Sequence, residues 1–182
     1  LAFAVFGLGW WTLLGLSVER ARAPCPRWIR AWALGLLGLL CLQVTYGAFT
    51  SGLKAGYGFN TFPKMDTDWA PDALFSLSPY WKNFLEDRFS IQFIHRWLGT
   101  ILTLFTIGFG LFALRSGQLS DTQRRCAFWV MGLVVVQFCL GVATLLWVVP
   151  IPLAVIHQLV ALFLFAAFLA LVYALGKVRP SR

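Results

Sequence analysis

His95 and His157 are the only two histidines in the chain, and each lies in an apolar run long enough to be a membrane helix. An ionisable side chain inside a span is costly, so its default reading is functional, with a simple interhelical hydrogen bond as the alternative. Two imidazoles at one depth have a more specific use. They can supply both axial ligands of a haem iron, whose apolar macrocycle suits a helix-lined pocket and whose propionates need a wet, basic rim. His157 follows Pro152 by about 8 Å of helix, and His95 sits at a comparable depth if its own helix begins near Phe89. Zinc or copper would want three or four converging nitrogen, sulfur or carboxylate ligands, and the spans contain no acidic residue. A proton relay would need such carboxylates too.

The neighbours of the histidines fit the same reading. Lys54, Lys64, Arg88 and Arg96 are available at the rim, and Arg96, adjacent to His95, is the best placed for a propionate. Gly99 and Ala161 lie one helical turn beyond His95 and His157, on the same faces, where small residues would admit a macrocycle. Gly47 and Gly141 would do likewise on the other helices. Close helix packing is the alternative use of such glycines. Asn60, Phe62, Pro63, Lys64 and Met65 would either shape a lid over a haem edge or simply belong to an ordered loop. Met65 has no place as a ligand where two histidines already fill both axial positions.

The elements that must position these residues are membrane helices. Of 182 residues 59% are apolar and 12% charged, which excludes an ordinary water-soluble domain. Runs at 31–50, 89–114, 126–149 and 152–176 meet the roughly 20 residues that a crossing requires. A further run at 1–17 is slightly short and lacks the marks of a signal peptide, so it reads as the remainder of a span. The net charge of +8 does not indicate nucleic acid once the charges are sorted by side. Arg20, Arg22, Arg27, Arg30, Arg115, Arg124, Arg125, Lys177, Arg179 and Arg182 share one side with only Glu19 and Asp121, whereas the other side is balanced. By the positive-inside bias the basic side is cytoplasmic, or matrix-facing in an organelle, and residues 51–88 form an outward loop. Cys25, Cys41, Cys126 and Cys139 show no metal-ligand spacing and read as small packing residues.

Within this frame the chain repeats itself. LQVTYGAFT at 42–50 aligns with VQFCLGVAT at 136–144, so that Gln43, Gly47 and Thr50 match Gln137, Gly141 and Thr144; each segment precedes a helix bearing Ile-His. Val149-Pro-Ile-Pro152 ends one helix and starts the next, making the last two an antiparallel hairpin. A duplicated two-helix unit predicts an all-α, four-helix transmembrane bundle over 31–176, with an additional partial helix at 1–17, an inner loop at 18–30 and an inner tail at 177–182. The loop 51–88 is long enough to be functional, and its aromatic second half predicts an interfacial helix.

GAFTSGLKAGYGFNTFPKM at 47–65, QFIHR at 92–96 and PLAVIHQ at 152–158 closely resemble haem A synthase of the mitochondrial and proteobacterial type, over residues 1 to about 176. In that family eight helices form two similar halves, and the resemblance implies the last helix of the first half followed by the entire second half. It further implies haem b held between His95 and His157, in an enzyme that oxidises the C8 methyl of haem O to a formyl group and so makes haem A for terminal oxidases. The substrate-side histidines and their acidic partner belong to helices absent here, so the resemblance implies no catalytic residue in this stretch, which alone would be inactive. It implies the bacterial plasma membrane or mitochondrial inner membrane, the lipid bilayer and haem O as surroundings and substrate, and contact with the haem O synthase, a protohaem farnesyltransferase. A homo-oligomer is compatible with it. From the residues alone, the alternative is a b-type membrane cytochrome serving only electron transfer.

Overall fold

The computed structural model of the chain describes residues 1–17 and 24–176. Glu19, Arg20, Arg22, Lys177, Arg179 and Arg182, all assigned to the inner side, lie outside the described residues. Five helices follow one another: α1 (Ala2–Ser17), α2 (Arg27–Gly52), α3 (Arg88–Arg115), α4 (Asp121–Leu146) and α5 (Ile151–Ala174). The last four, of 24 to 28 residues, are long and apolar enough to cross a membrane, and α1 is a shorter apolar helix of 16 residues. The all-helical expectation therefore holds, as a hydrocarbon solvent demands when every backbone polar group must find its partner within its own segment.

The helices outrun the apolar stretches at their inner ends. α2 starts at Arg27, directly after Pro26, and α4 starts at Asp121 behind Ser120. Hydropathy marks only the hydrocarbon-spanning part, whereas Arg27, Arg30, Arg124 and Arg125 prolong the helices while their charged ends reach the interface. Ser120 and Gln123 form a reciprocal capping box, in which the Gln123 amide donates to Ser120 Oγ at 3.4 Å and Gln123 Oε1 accepts from the Ser120 amide at 2.9 Å.

α2 packs on α3, α3 on α4, α4 on α5, and α5 closes the ring on α2, leaving α3 and α5 on one diagonal. α1 lies outside, against α5 and parallel to it: Phe3 meets Phe165, Trp11 meets Tyr173, and Trp10 Nε1 donates to the Ala166 carbonyl at 3.0 Å. The inner half of the ring is densely packed around Ile29, Leu36, Leu102, Val130, Leu164 and Phe168. Its end is tied shut where Cys25 Sγ donates to the Leu175 carbonyl at 3.1 Å and Gln123 Nε2 to the Ala174 carbonyl at 2.9 Å. Burial raises the Cys25 thiol pKa, in keeping with a packing role for that cysteine. Cys41 and Cys139, by contrast, are exposed on their helices.

In the outward loop, the aromatic half forms a five-residue 3-10 turn, Tyr80–Phe84, rather than a longer interfacial helix. Buried Asn83 explains the tighter turn: it accepts from the Leu77 amide at 2.9 Å and donates to the Leu77 and Tyr80 carbonyls at 3.0 and 2.8 Å, closing the segment on itself. Asp87 then caps α3, accepting from the amides of Phe89 and Ser90 at 3.1 and 3.2 Å, which sets the start of the helix that carries His95.

Candidate functional site

Above the packed inner half, the ring has a layer in which no side chain is fully buried. On α2 no described residue beyond Leu40 is buried, on α3 none lies between Gln92 and Leu102, on α4 none between Val134 and Thr144, and on α5 none before Leu164. The layer is about ten residues, or roughly 15 Å, deep on each helix. Protein interiors ordinarily pack to crystal-like density, so four helices that all lack a buried side chain at one level are more loosely packed there than in the inner half. His95 on α3 and His157 on α5 both lie within this layer, on diagonally placed helices.

The outward loop closes over this layer. Ala55 and Met65 are buried in it, at 0% and 2% exposure. Asn60 Nδ2 bridges the Gly56 carbonyl at 2.8 Å and the Leu145 carbonyl at the end of α4 at 3.0 Å. Gln92 pairs with the backbone of Phe59, donating to its carbonyl at 2.8 Å and accepting from its amide at 3.2 Å. Arg96 fastens the same strip: one terminal nitrogen donates to Phe59 and Thr61 carbonyls at 2.8 and 2.7 Å, the other to the Lys64 carbonyl at 3.1 Å. Of the expected rim cations, Lys64 lies over the Trp69 ring and Arg88 over Phe89, while Lys54 is exposed beyond the end of α2.

Each imidazole lies against a glycine of the preceding helix. A Cβ on Gly47 would stand 3.1 Å from His95 Cε1, and one on Gly141 would stand 3.0 Å from His157 Cε1, so the two halves of the repeat position their rings alike. Gly99 is used differently, because a Cβ there would meet Gln43 Nε2 at 2.9 Å rather than a ring. Ala161 lines α5 partly buried, one turn below His157. Two residues singled out only by the repeat prove to touch the histidines: Gln43 Nε2 donates to the His95 carbonyl at 3.1 Å, and Gln137 Nε2 lies 3.3 Å from His157 Nε2.

Buried polar atoms without a partner cluster here as well: His95 Nδ1, His157 Nδ1, Gln43 Oε1, Gln137 Oε1 and Arg96 Nε. Native interiors satisfy nearly all such groups, so this concentration marks a place built to meet something else. Two imidazoles on one diagonal of a loosely packed layer, apolar helices around and a guanidinium N–H at the rim would suit a haem. Among the described residues no group of three or more His, Cys, Asp or Glu side chains converges as a conventional metal site would require.

The glycines afford a test of this layer. Gly47→Leu and Gly141→Leu should each push a ring off its helix at an overpacking cost of about 1–3 kcal/mol, or roughly five- to hundredfold in affinity for a group bound between the rings. Haemin titration of the purified variants reads this directly. Alanine at the same positions should act more weakly, and equal affinity for wild type and both leucine variants would mean that the rings need no such room.

Comparison with known proteins gives these features a context. The family model COX15-CtaA, described as cytochrome oxidase assembly protein, matches residues 1–169. The chain is 37% identical over 181 residues to heme A synthase COX15 of Mus musculus, covering 97% of this chain and 43% of that protein. It is 34% identical to heme A synthase of Parvibaculum lavamentivorans, covering 97% and 50%, and 36% identical to heme A synthase COX15 of Arabidopsis thaliana, covering 99% and 40%. The chain thus spans about half the length of the curated relatives it matches. No solved structure matches it.

Proposed function

Because this chain belongs to the COX15-CtaA family of cytochrome oxidase assembly proteins, we propose that it is the haem b-carrying portion of a haem A synthase, a multi-pass membrane oxidoreductase. The observation that carries the reading is the loosely packed layer with His95 and His157, the chain's two histidines, on its diagonal. Both imidazoles would bind iron through Nε2, leaving Nδ1 protonated. Bound there, haem b would supply one-electron transfer towards the site where haem O has its C8 methyl oxidised to formyl.

The protein's own part is orientation and exclusion of water. Gly47 and Gly141 hold the two rings close to their helices, the packed inner half sets the floor, and the strip 59–65 forms the roof under the hold of Asn60, Gln92 and Arg96. The outward end would be the wet side, where Arg96 Nε–H, buried without a partner, and the remaining N–H of its guanidinium would be available to a propionate. The excess of Arg27, Arg30, Arg115, Arg124 and Arg125 over Asp121 supports reading the opposite end as the cytoplasmic or matrix side. The role proposed for this stretch is electron supply, and none of its side chains is assigned to haem O itself.

The reduced-minus-oxidised optical spectrum of the detergent-purified chain tests the reading. A low-spin b-type spectrum with a one-to-one haem stoichiometry is expected. A protein that stays colourless after incubation with haemin would overturn it and leave the histidines as packing residues.

A further inference from the structure

The two halves of the repeat treat their histidines differently, and the difference lies in the paired glutamines. Gln43 Nε2 donates to the main-chain carbonyl of His95 at 3.1 Å, so its side-chain amide grips the helix rather than the ring. Gln137, its equivalent, places Nε2 at 3.3 Å from the ring nitrogen Nε2 of His157. With the amide nitrogen of Gln137 toward the ring, the contact is a hydrogen bond in the tautomer that carries the His157 proton on Nδ1 and offers the Nε2 lone pair. That is the lone pair an iron ion would take. Gln137 therefore selects the tautomer suited to ligation while covering the ligating atom.

We propose that Gln137 is a positioning residue that makes haem ligation ordered: iron is taken first by His95, and His157 completes the coordination only once the Gln137 carboxamide has swung away. The inference rests on the bis-histidine reading above. The swing is inexpensive because Gln137 Oε1 has no partner to give up, and the only bond lost is the one to the ring. The steric frame is already symmetric, since a Cβ on Gly47 or Gly141 would stand 3.1 or 3.0 Å from the Cε1 of its histidine, so the glutamine contact is what distinguishes the two histidines.

The test is rapid mixing of the haem-depleted full chain in detergent with haemin, followed by absorbance that separates five-coordinate high-spin from six-coordinate low-spin iron. Wild type should pass through a high-spin species before the low-spin product. Gln137→Leu should speed the second phase about fivefold, the size expected for one neutral hydrogen bond, and reach the same final spectrum. Gln137→Asn, too short to reach the ring, should behave likewise and covers the event that leucine perturbs folding. Gln43→Leu should leave the second phase unchanged. His157→Ala should stop at the high-spin species at nearly the wild-type first-phase rate, whereas His95→Ala should slow the first phase itself. A second phase equal in wild type and both Gln137 variants, or equal first phases in the two histidine variants, would overturn the ordered scheme. If neither histidine variant alters the final spectrum, it is the bis-histidine reading that fails.

Discussion

His95→Ala and His157→Ala are each expected to convert a six-coordinate low-spin haem into a five-coordinate high-spin one, and the double variant to hold essentially no haem. On the bis-histidine reading the two rings, on diagonal helices of the loosely packed layer, would share one iron, so removing either would leave it a single protein ligand. Loss of a mere outer-shell partner weakens a metal site roughly 10–100-fold, so loss of a ligand should exceed about a hundredfold in haem affinity. Added imidazole should then restore the low-spin spectrum in each single variant, since the missing ring leaves a space of its own shape beside Gly47 or Gly141. A general folding defect would not respond to imidazole. Should either variant keep the wild-type spectrum without it, that histidine is no ligand.

Arg96→Leu should release the roof. Three carbonyls, of Phe59, Thr61 and Lys64, take their tie to α3 from this one guanidinium, while Gln92 holds only Phe59. Bonds to a charged donor contribute about 1.5–3 kcal/mol each when well buried. Two of these are exposed, so the whole set is taken as about 2 kcal/mol, or roughly thirtyfold in the population of the open strip. Hydrogen–deuterium exchange should show it at the amides of Met65 and Asp66, which are bonded within the loop, and at that of Phe59, which is bonded to Gln92, and not along α4. Arg96→Lys, with one point of attachment in place of a fork, should fall between the two. Faster haem release from the leucine variant, with unchanged ligand spectrum, would separate the roofing role of Arg96 from any direct part in ligation. Unaltered exchange at 59–66 would show that Gln92 and Asn60 hold the roof without it.

The spans, the closing hairpin, the repeat and the histidine pair were all legible in the sequence because each depends on local pattern. Apolar length announces a crossing whatever its neighbours do, Pro150 and Pro152 break the helix where they stand, and two histidines are conspicuous in hydrocarbon. The helix ends were less legible, since Arg27 and Asp121 continue helices past the point where hydropathy falls. Which faces turn inward could not be read at all: helices apolar nearly all round carry no stripe to mark a core side. Only the tertiary structure decided that Gly47 and Gly141, rather than Gly99, lie against the rings, that Gln43 and Gln137 treat their histidines unequally, and that Arg96 is tied to the strip 59–64. Those outcomes depend on the rotation of each helix about its axis and on the path of a long loop. Both are set by contacts between residues dozens of positions apart, and no local pattern in the chain encodes them.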